Sequence, residues 1–310
     1  MVCTIARARA HAFAQLLAVL GLVTLFACKR SVAQPDPASE QIAAAVRKRE
    51  IDVAFAVVSD THFGFEPVAT AHPKLVAQLN GIEGRRYPKE KETIWPTLRV
   101  PPLRGLLITG DLTDGGSPEQ WKLFEQTYGF PAEKGKLNIP TFEVIGNHDR
   151  WGGPHVREAV VKRHGGNFYS FDFDKVHFLA LGEAPDEEGL AFAAADLAKV
   201  QLDVPLVLYF HLPLAGPAAE GWGFGDTEYP NRLEQLLRDR TVIAFFHGHA
   251  HSTDHYVWHG YDVFRPGAVK QGTPDVTIAH ITDTMFTVAV YDYDTGKWVG
   301  TFEKTWKPSH

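Results

Sequence analysis

Eight side chains able to bind a metal or move a proton stand at five places in the chain: Asp60, His62, Asp111, Asn147, His148, His211, His249 and His251. Each place closes an apolar, β-branched run: "IDVAFAVV" stops at "SDTHFG", "LRGLLIT" at "GDLTDGG", "TFEVI" at "GNHDR", "PLVLYF" at "HLPL" and "TVIAFF" at "HGHAH". Polar groups buried at such points are costly unless partnered. The only cysteines are Cys3 and Cys28, so the body offers no thiolate and any metal there must be held by oxygen and nitrogen. Carboxylate, imidazole and amide oxygen without sulfur suit Mn²⁺, Fe or Zn²⁺. Seven ligands with one shared suit two divalent ions rather than one. Two ions about 3.5–4 Å apart can clamp the attacking and leaving oxygens of an in-line displacement and lower the pKa of a bridging water. A carboxylate bridges two cations best, which makes Asp111 the natural shared ligand.

Something must bring residues 60 to 251 together. Short, nearly continuous apolar runs fit buried central strands. Helix-like stretches lie between them: "ATAHPKLVAQLN", "SPEQWKLFEQTYG", "GPHVREAVVKRHG", "DEEGLAFAAADLAKV" and "PNRLEQLLRD". Alternation of strands and helices predicts an α/β core, whose ligands sit beyond the carboxyl ends of the strands. Ser117 before Pro118 reads as an N-cap and first helical residue. Beyond residue 255, "YDVFRPG", "VTIAHI", "MFTVAVYDY" and "KWVGTFEKTW" alternate at period two and read as antiparallel strands of a second sheet.

The ordered set D-x-H, G-D, G-N-H-D, a lone H and G-H-x-H resembles the calcineurin-like metallophosphoesterases. Here it reads Asp60-Thr61-His62, Gly110-Asp111, Gly146-Asn147-His148-Asp149, His211 and Gly248-His249-Ala250-His251. Each motif alone is weak; five in order at strand ends are specific. The resemblance implies a four-layer sandwich of two mixed β-sheets flanked by helices. It implies two divalent metal ions, the first on Asp60, His62 and His251, the second on Asn147, His211 and His249, with Asp111 bridging. It implies hydrolysis of a phosphomonoester or phosphodiester by in-line attack of metal-bound hydroxide, without a covalent enzyme intermediate. His148 would stabilise the phosphoryl oxygens and protonate the leaving alkoxide, and Asp149 would orient His148 from behind. Purple acid phosphatases in this superfamily place a metal-binding tyrosine where this chain has Asp114, so the colour of an iron–tyrosinate pair is not expected. "GDLTDGG" is more similar to the branch with cyclic-nucleotide phosphodiesterase-like enzymes.

Several residues keep two readings. Strand alternation puts His247 on the same side as His249, and the family pattern, not spacing, selects His249. Asp114 either bonds to a metal ligand or satisfies the turn before Gly115. Asp254, His255 and His259 read as loop surface. Trp151, Trp222 and Phe224 either line a substrate pocket or cover the core. Arg150 and Arg265 are candidates for a bidentate contact with substrate phosphate, while Arg265 in "FRPG" could instead sit on a strand edge. "GRRYPKEKETIWP" reads as a polar insertion and candidate lid. Two rival functions fit the sequence less well. A metallo-β-lactamase-like H-x-H-x-D-H site fails because "HAHSTDH" has one residue too many and leaves G-D and G-N-H-D unexplained. A non-catalytic metal-binding scaffold predicts damage to the acid or a ligand, and none is visible.

The N-terminus reads as a targeting segment: two arginines, no acid, then the 16-residue run "AFAQLLAVLGLVTLFA", short for a membrane span. "LFAC" resembles a bacterial lipobox, which would make residues 1–27 a signal peptide and Cys28 a lipidated N-terminus. Cleavage after Ala33 and an uncleaved anchor are the alternatives. Residues 28–37 read as a polar tether and 38–310 as a single domain. The expected location is export with a lipid anchor at the bacterial cell envelope, the alternative being a soluble periplasmic or secreted protein. A formal net charge of −6 argues against broad nucleic-acid binding. The expected partners are a small phosphate ester and, through Cys28, a membrane.

Overall fold

In a computed structural model, residues 50–129, 136–215, 224–225, 227–270 and 273–306 are described. They belong to one compact unit, Lys48–His310. Cys28, the tether, Trp222 and the start of the domain lie outside the described residues.

Two mixed six-stranded sheets form the centre. The first is built on β1 (Asp52–Val58), β2 (Leu103–Thr109) and β3 (Thr141–Val144), which are parallel. It is extended on the other side of β1 by antiparallel β10 (Asp275–Thr282), β11 (Met285–Asp292) and β12 (Lys297–Thr305). The second has the order β4-β5-β6-β7-β9-β8. Its members are β4 (Tyr169–Phe173), β5 (Val176–Ala180), β6 (Leu206–Tyr209), β7 (Val242–Phe246), β8 (Asp254–Trp258) and β9 (Tyr261–Arg265). The strands β5, β6, β7 and β9 are parallel, with β4 and β8 antiparallel on the two edges.

Strand β1 shows why its sequence is apolar throughout. Val53, Phe55 and Val57 enter a core between the two sheets, where Phe55 meets Phe178 and Phe246 edge-on. Ala56 and Val58 point the other way, into a core under helices α1 (Ala71–Asn80), α2 (Pro118–Tyr128) and α3 (His155–His164). A third core joins the far face of the second sheet to α4 (Glu187–Leu197) and α5 (Tyr229–Leu237). Period-two alternation with both faces buried thus yields four layers: helices, sheet, sheet, helices. The cap expected at Ser117 is present, its hydroxyl accepting from the Gln120 backbone N–H.

The structure corrects four readings of the elements. The C-terminal strands do not make a sheet of their own: β10 to β12 complete the first sheet, and β9 joins the second in parallel with β7. Period-two alternation fixes which face a residue takes but not which neighbour its strand pairs with. Strands β4 and β5, "YSFDF" and "VHFLA", carry no metal-binding cluster and were missed. Asp254 and His255 open the edge strand β8 rather than a loop, and both are exposed. The insertion at 84–96 is no lid over the strand ends. It docks on β12, where Trp95 Nε1 and Lys91 Nζ donate to Glu303, and Trp298 Nε1 donates to the Arg86 carbonyl.

Candidate metal centre

The ends of β1, β2 and β3 in one sheet meet the ends of β6 and β7 in the other. The loops after β1 and β2 run together: Asp60 N–H donates to Gly110 O, His62 N–H to Asp111 O and Phe63 N–H to Leu112 O. This brings "SDTHF" beside "GDLT" without leaving the sheet geometry.

Each of the two central carboxylates has one oxygen held from behind and one turned to the centre. Asp60 Oδ2 accepts from the His249 backbone N–H at 3.1 Å, while Oδ1 is buried with no hydrogen-bond partner. Asp111 Oδ1 accepts from the His148 backbone N–H at 2.9 Å. Its Oδ2 lies 3.4 Å from His62 Nε2, 3.4 Å from His211 Nε2 and 4.0 Å from His148 Nε2. His62 Nε2 is likewise buried without a hydrogen-bond partner, and His251 Nε2 is 3.2 Å from Asp60 Oδ1. A carboxylate oxygen and an imidazole nitrogen buried without hydrogen bonds and facing one centre are what a cation would satisfy.

Two clusters of donors share Asp111: Asp60, His62, Asp111 and His251 in one, Asp111, His211 and His249 in the other. Asn147 belongs with the second. Its Oδ1 is 3.0 Å from His211 Nε2 and 3.0 Å from His249 Nδ1, and those two nitrogens are 3.2 Å apart. The Thr109 carbonyl, 2.8 Å from His211 Nδ1, takes the proton on that side and leaves Nε2 for the centre. The seven residues expected to hold metal are therefore together, and their oxygen and nitrogen donors fit hard-to-borderline divalent ions.

The backbone supplies an independent sign. Asp60, His62, Asp111, His249 and His251 all have φ between 42° and 74°. Non-glycine residues seldom occupy this left-handed region, and where they do the rest of the structure must hold them there. Glycines make room. A Cβ on Gly146 would overlap the backbone nitrogen and Oδ1 of Asp111, and one on Gly248 would overlap Ser59 Oγ.

Charge is concentrated accordingly. Burial disfavours the charged form of His211, but Asp111 overrides it and raises the imidazole to about 10. His62 is also buried, yet Asp111 and Asp60 raise it to about 9. Burial and the neighbouring His211 push His249 down to about 4. Against the penalty of burial, His211 and His62 hold Asp111 well below the usual carboxylate range. Without a cation, then, protons gather on His62 and His211, where bound metal would replace them.

His148 stands beside this centre with 18% of its side chain exposed. Its partner is not the expected one. His148 Nδ1 is 2.8 Å from the Asp114 carbonyl. The carboxylate of Asp149 is occupied elsewhere, accepting from the backbone N–H groups of Leu112, Thr113 and Gly146 and from Thr113 Oγ1. Asp149 ties the second motif loop to the third instead of orienting the imidazole. The family resemblance implies a contact that the turn at His148–Arg150 directs away.

Asp114 Oδ1 is 3.0 Å from His62 Nδ1, so it serves a candidate ligand and is more than a turn residue. His247 is fully buried, bonded through Nε2 to Tyr256 OH at 2.9 Å, and burial lowers it to about 3. It is a core residue. Arg265, the last residue of β9, takes the structural reading: Nε donates to Ser252 O and the guanidinium pairs with Asp254, so it is engaged in bracing the loop after His251. Arg150 pairs with Glu183 at 3.0 Å across the two sheets. Trp151 is 62% exposed, its ring centroid 3.7 Å from that of His148, so it edges the site rather than covering the core. Phe224 is buried in the third core against Phe210. Sequence reasoning missed Lys270, whose Nζ is 2.6 Å from Asp114 Oδ1; it belongs to no motif, so no signal marked it.

The profile of the calcineurin-like phosphoesterases matches residues 53–253. No curated protein matches. Solved structures similar in fold include a dimetal phosphatase from Danio rerio, at 13% identity, covering 82% of this chain and 99% of that one with a TM-score of 0.56. The purple acid phosphatase PPD1 of yellow lupin gives 12% identity, 83% and 54% coverage and a TM-score of 0.60. GAP50 of Plasmodium, described as the anchor in the inner membrane complex, gives 14%, 83% and 90%, and 0.58. At these identities the likeness is one of fold.

Proposed function

Because the chain belongs to the calcineurin-like phosphoesterase family, we propose that it is a dinuclear metal-dependent phosphoric ester hydrolase, a phosphatase or phosphodiesterase. The observation that carries this reading is the pair of donor clusters sharing Asp111, with Asp60 Oδ1 and His62 Nε2 buried between them without a hydrogen bond. Asp60, His62 and His251 would hold one divalent ion, Asn147, His211 and His249 the other, and Asp111 both. Mn, Fe and Zn all suit these donors. Bound there, two such ions would supply Lewis acidity toward a phosphoryl oxygen and a water of lowered pKa.

The chain's own residues do the rest. The Asp114 carbonyl holds His148 by Nδ1, which leaves Nε2 on the side of Asp111. Burial lowers the pKa of His148 in the free protein. An arriving phosphate places negative charge beside Nε2 and draws a proton onto it. His148 can then donate that proton to the leaving oxygen. Trp151 lies along the same edge and offers a flat apolar face to a leaving group. Asp149 keeps the loops of Asp111 and His148 in register.

The fold of the Plasmodium anchor protein is similar, so fold alone does not separate enzyme from scaffold. The intact ligand set and the partly exposed His148 favour catalysis. The test is hydrolysis of a nitrophenyl monoester and a nitrophenyl diester by the soluble body with Mn²⁺. Turnover of at least one, abolished by a chelator, is expected. No turnover of either by protein carrying two ions would contradict the proposal and favour a scaffold. We further propose export and lipid anchoring through Cys28, supported by the sequence of residues 1–28.

A further inference from the structure

We propose that Lys270 is a positioning residue that fixes, through Asp114, both a metal-ligand histidine and the proton-donating histidine; the inference rests on the metal-dependent reading above. Lys270 lies beyond the stretch that matches the family profile, which ends at residue 253. It reaches the centre because the chain after β9 runs alongside the end of β1. Ser59 N–H donates to Gly267 O, Val269 N–H to Ser59 O and Lys270 N–H to Asp60 O, with a parallel bridge between Ser59 and Ala268. Lys270 is thus held by its backbone to a residue carrying a candidate ligand. Its ammonium lies 4.8 Å from the centroid of the Phe65 ring and is largely shielded from water, with 15% of the side chain exposed.

Asp114 faces two ways. Its Oδ1 takes Lys270 Nζ at 2.6 Å and sits 3.0 Å from His62 Nδ1, while its backbone carbonyl is 2.8 Å from His148 Nδ1. With Nδ1–H of His62 donating to that carboxylate, His62 Nε2 is the nitrogen turned toward Asp60 and Asp111, buried without a hydrogen bond and placed to exchange its proton for a metal. Asp114 itself is 29% exposed and could otherwise turn to water. The Lys270 ammonium, 3.4 Å from His62 Nδ1, cannot donate to a protonated Nδ1, so its hold on this group is the charge-assisted bond to Asp114. One lysine therefore pins one aspartate, and that aspartate sets the tautomer and direction of two imidazoles.

A simpler electrostatic view predicts the opposite outcome. If Lys270 acted only as a nearby positive charge, removing it would leave Asp114 unneutralised and tighten cation binding. Positioning predicts weaker binding, as for other groups that orient a metal ligand, about 10-fold or more. The experiment is calorimetric titration of Mn²⁺ into metal-free wild type, Lys270→Met and Lys270→Arg, with melting of the metal-free proteins as a control. The expected result is two ions in wild type, one of them weakened about 10-fold in Lys270→Met, recovery in Lys270→Arg, and similar melting temperatures. In the loaded enzyme, kcat for an alkyl ester should fall more than for a nitrophenyl ester, because the proton donor is also misplaced. Unchanged or tighter Mn²⁺ binding by Lys270→Met would overturn the inference while leaving the metal reading intact. Wild-type protein that takes up no metal would overturn the metal reading itself.

Discussion

Asp149 accepts from three backbone N–H groups and one hydroxyl, and that makes it a structural clamp between two motif loops. Asp149→Ala strands those three buried amides, at about 1–3 kcal/mol for each group left unsatisfied. The expected outcome is a loss of at least about 3 kcal/mol, the lower end for three such groups, in urea unfolding of the metal-free protein; unchanged stability with lost turnover would return Asp149 to a purely catalytic part. His148→Ala should behave in the converse way. None of the seven candidate ligands is removed, so metal content should hold while kcat falls about 10²–10⁴-fold, the usual contribution of a positioned general acid. The loss should be greater for an alkyl ester than for nitrophenolate, which leaves without help; equal losses would limit His148 to binding phosphoryl oxygen. A drop in metal content would make it a ligand.

The elements place these residues by stopping abruptly, and the stops were legible. Runs such as "LRGLLIT" and "TVIAFF" end in Asp and His because buried strands of a sandwich meet the site only at their ends. Sheet membership was not legible, since alternation in "VTIAHI" says nothing about whether its partner is β9 or β1. Nor could spacing reveal Lys270, which depends on a pairing 208 residues away from His62. Helix α1 carries a pH response into this frame. His72 is buried, stacked on Phe63 with ring centroids 3.8 Å apart and bonded to Tyr128 of α2. Burial lowers it from 6.5 to about 4. Between these values the unfolded chain binds the proton and the folded one does not, so stability is lost as pH falls from about 6.5 toward 4, by up to about 3 kcal/mol. Urea unfolding at pH 7 and pH 4.5 should show a smaller acid loss in His72→Gln than in wild type. An equal loss in both would remove His72 as the cause.

On the scale of the whole molecule, the site belongs to neither sheet alone: Asp60, His62, Asp111 and Asn147 follow strands of the first, His211, His249 and His251 strands of the second. The family resemblance carried by the five motifs implied the four-layer fold, and their place at strand ends allowed this convergence, while Trp222 and Cys28 fall outside the described residues. If Cys28 is the proposed anchor, Cys28→Ser should leave the membrane fraction with unchanged turnover, because firm anchoring needs the several acyl chains of a lipoprotein. Normal processing after Ala33 in that variant would mean that Cys28 never carried the anchor. The two halves are joined chemically at Asp111, the one carboxylate common to both donor clusters. The most direct measurement is therefore the metal-to-protein ratio of wild type and Asp111→Asn after stripping and reloading with Mn²⁺. Two ions per wild-type chain, and loosened binding of both in the variant, are predicted, since bridging needs the charge and two oxygens of a carboxylate. Fewer than two ions in wild type, or two tightly held ions in Asp111→Asn, would contradict the account.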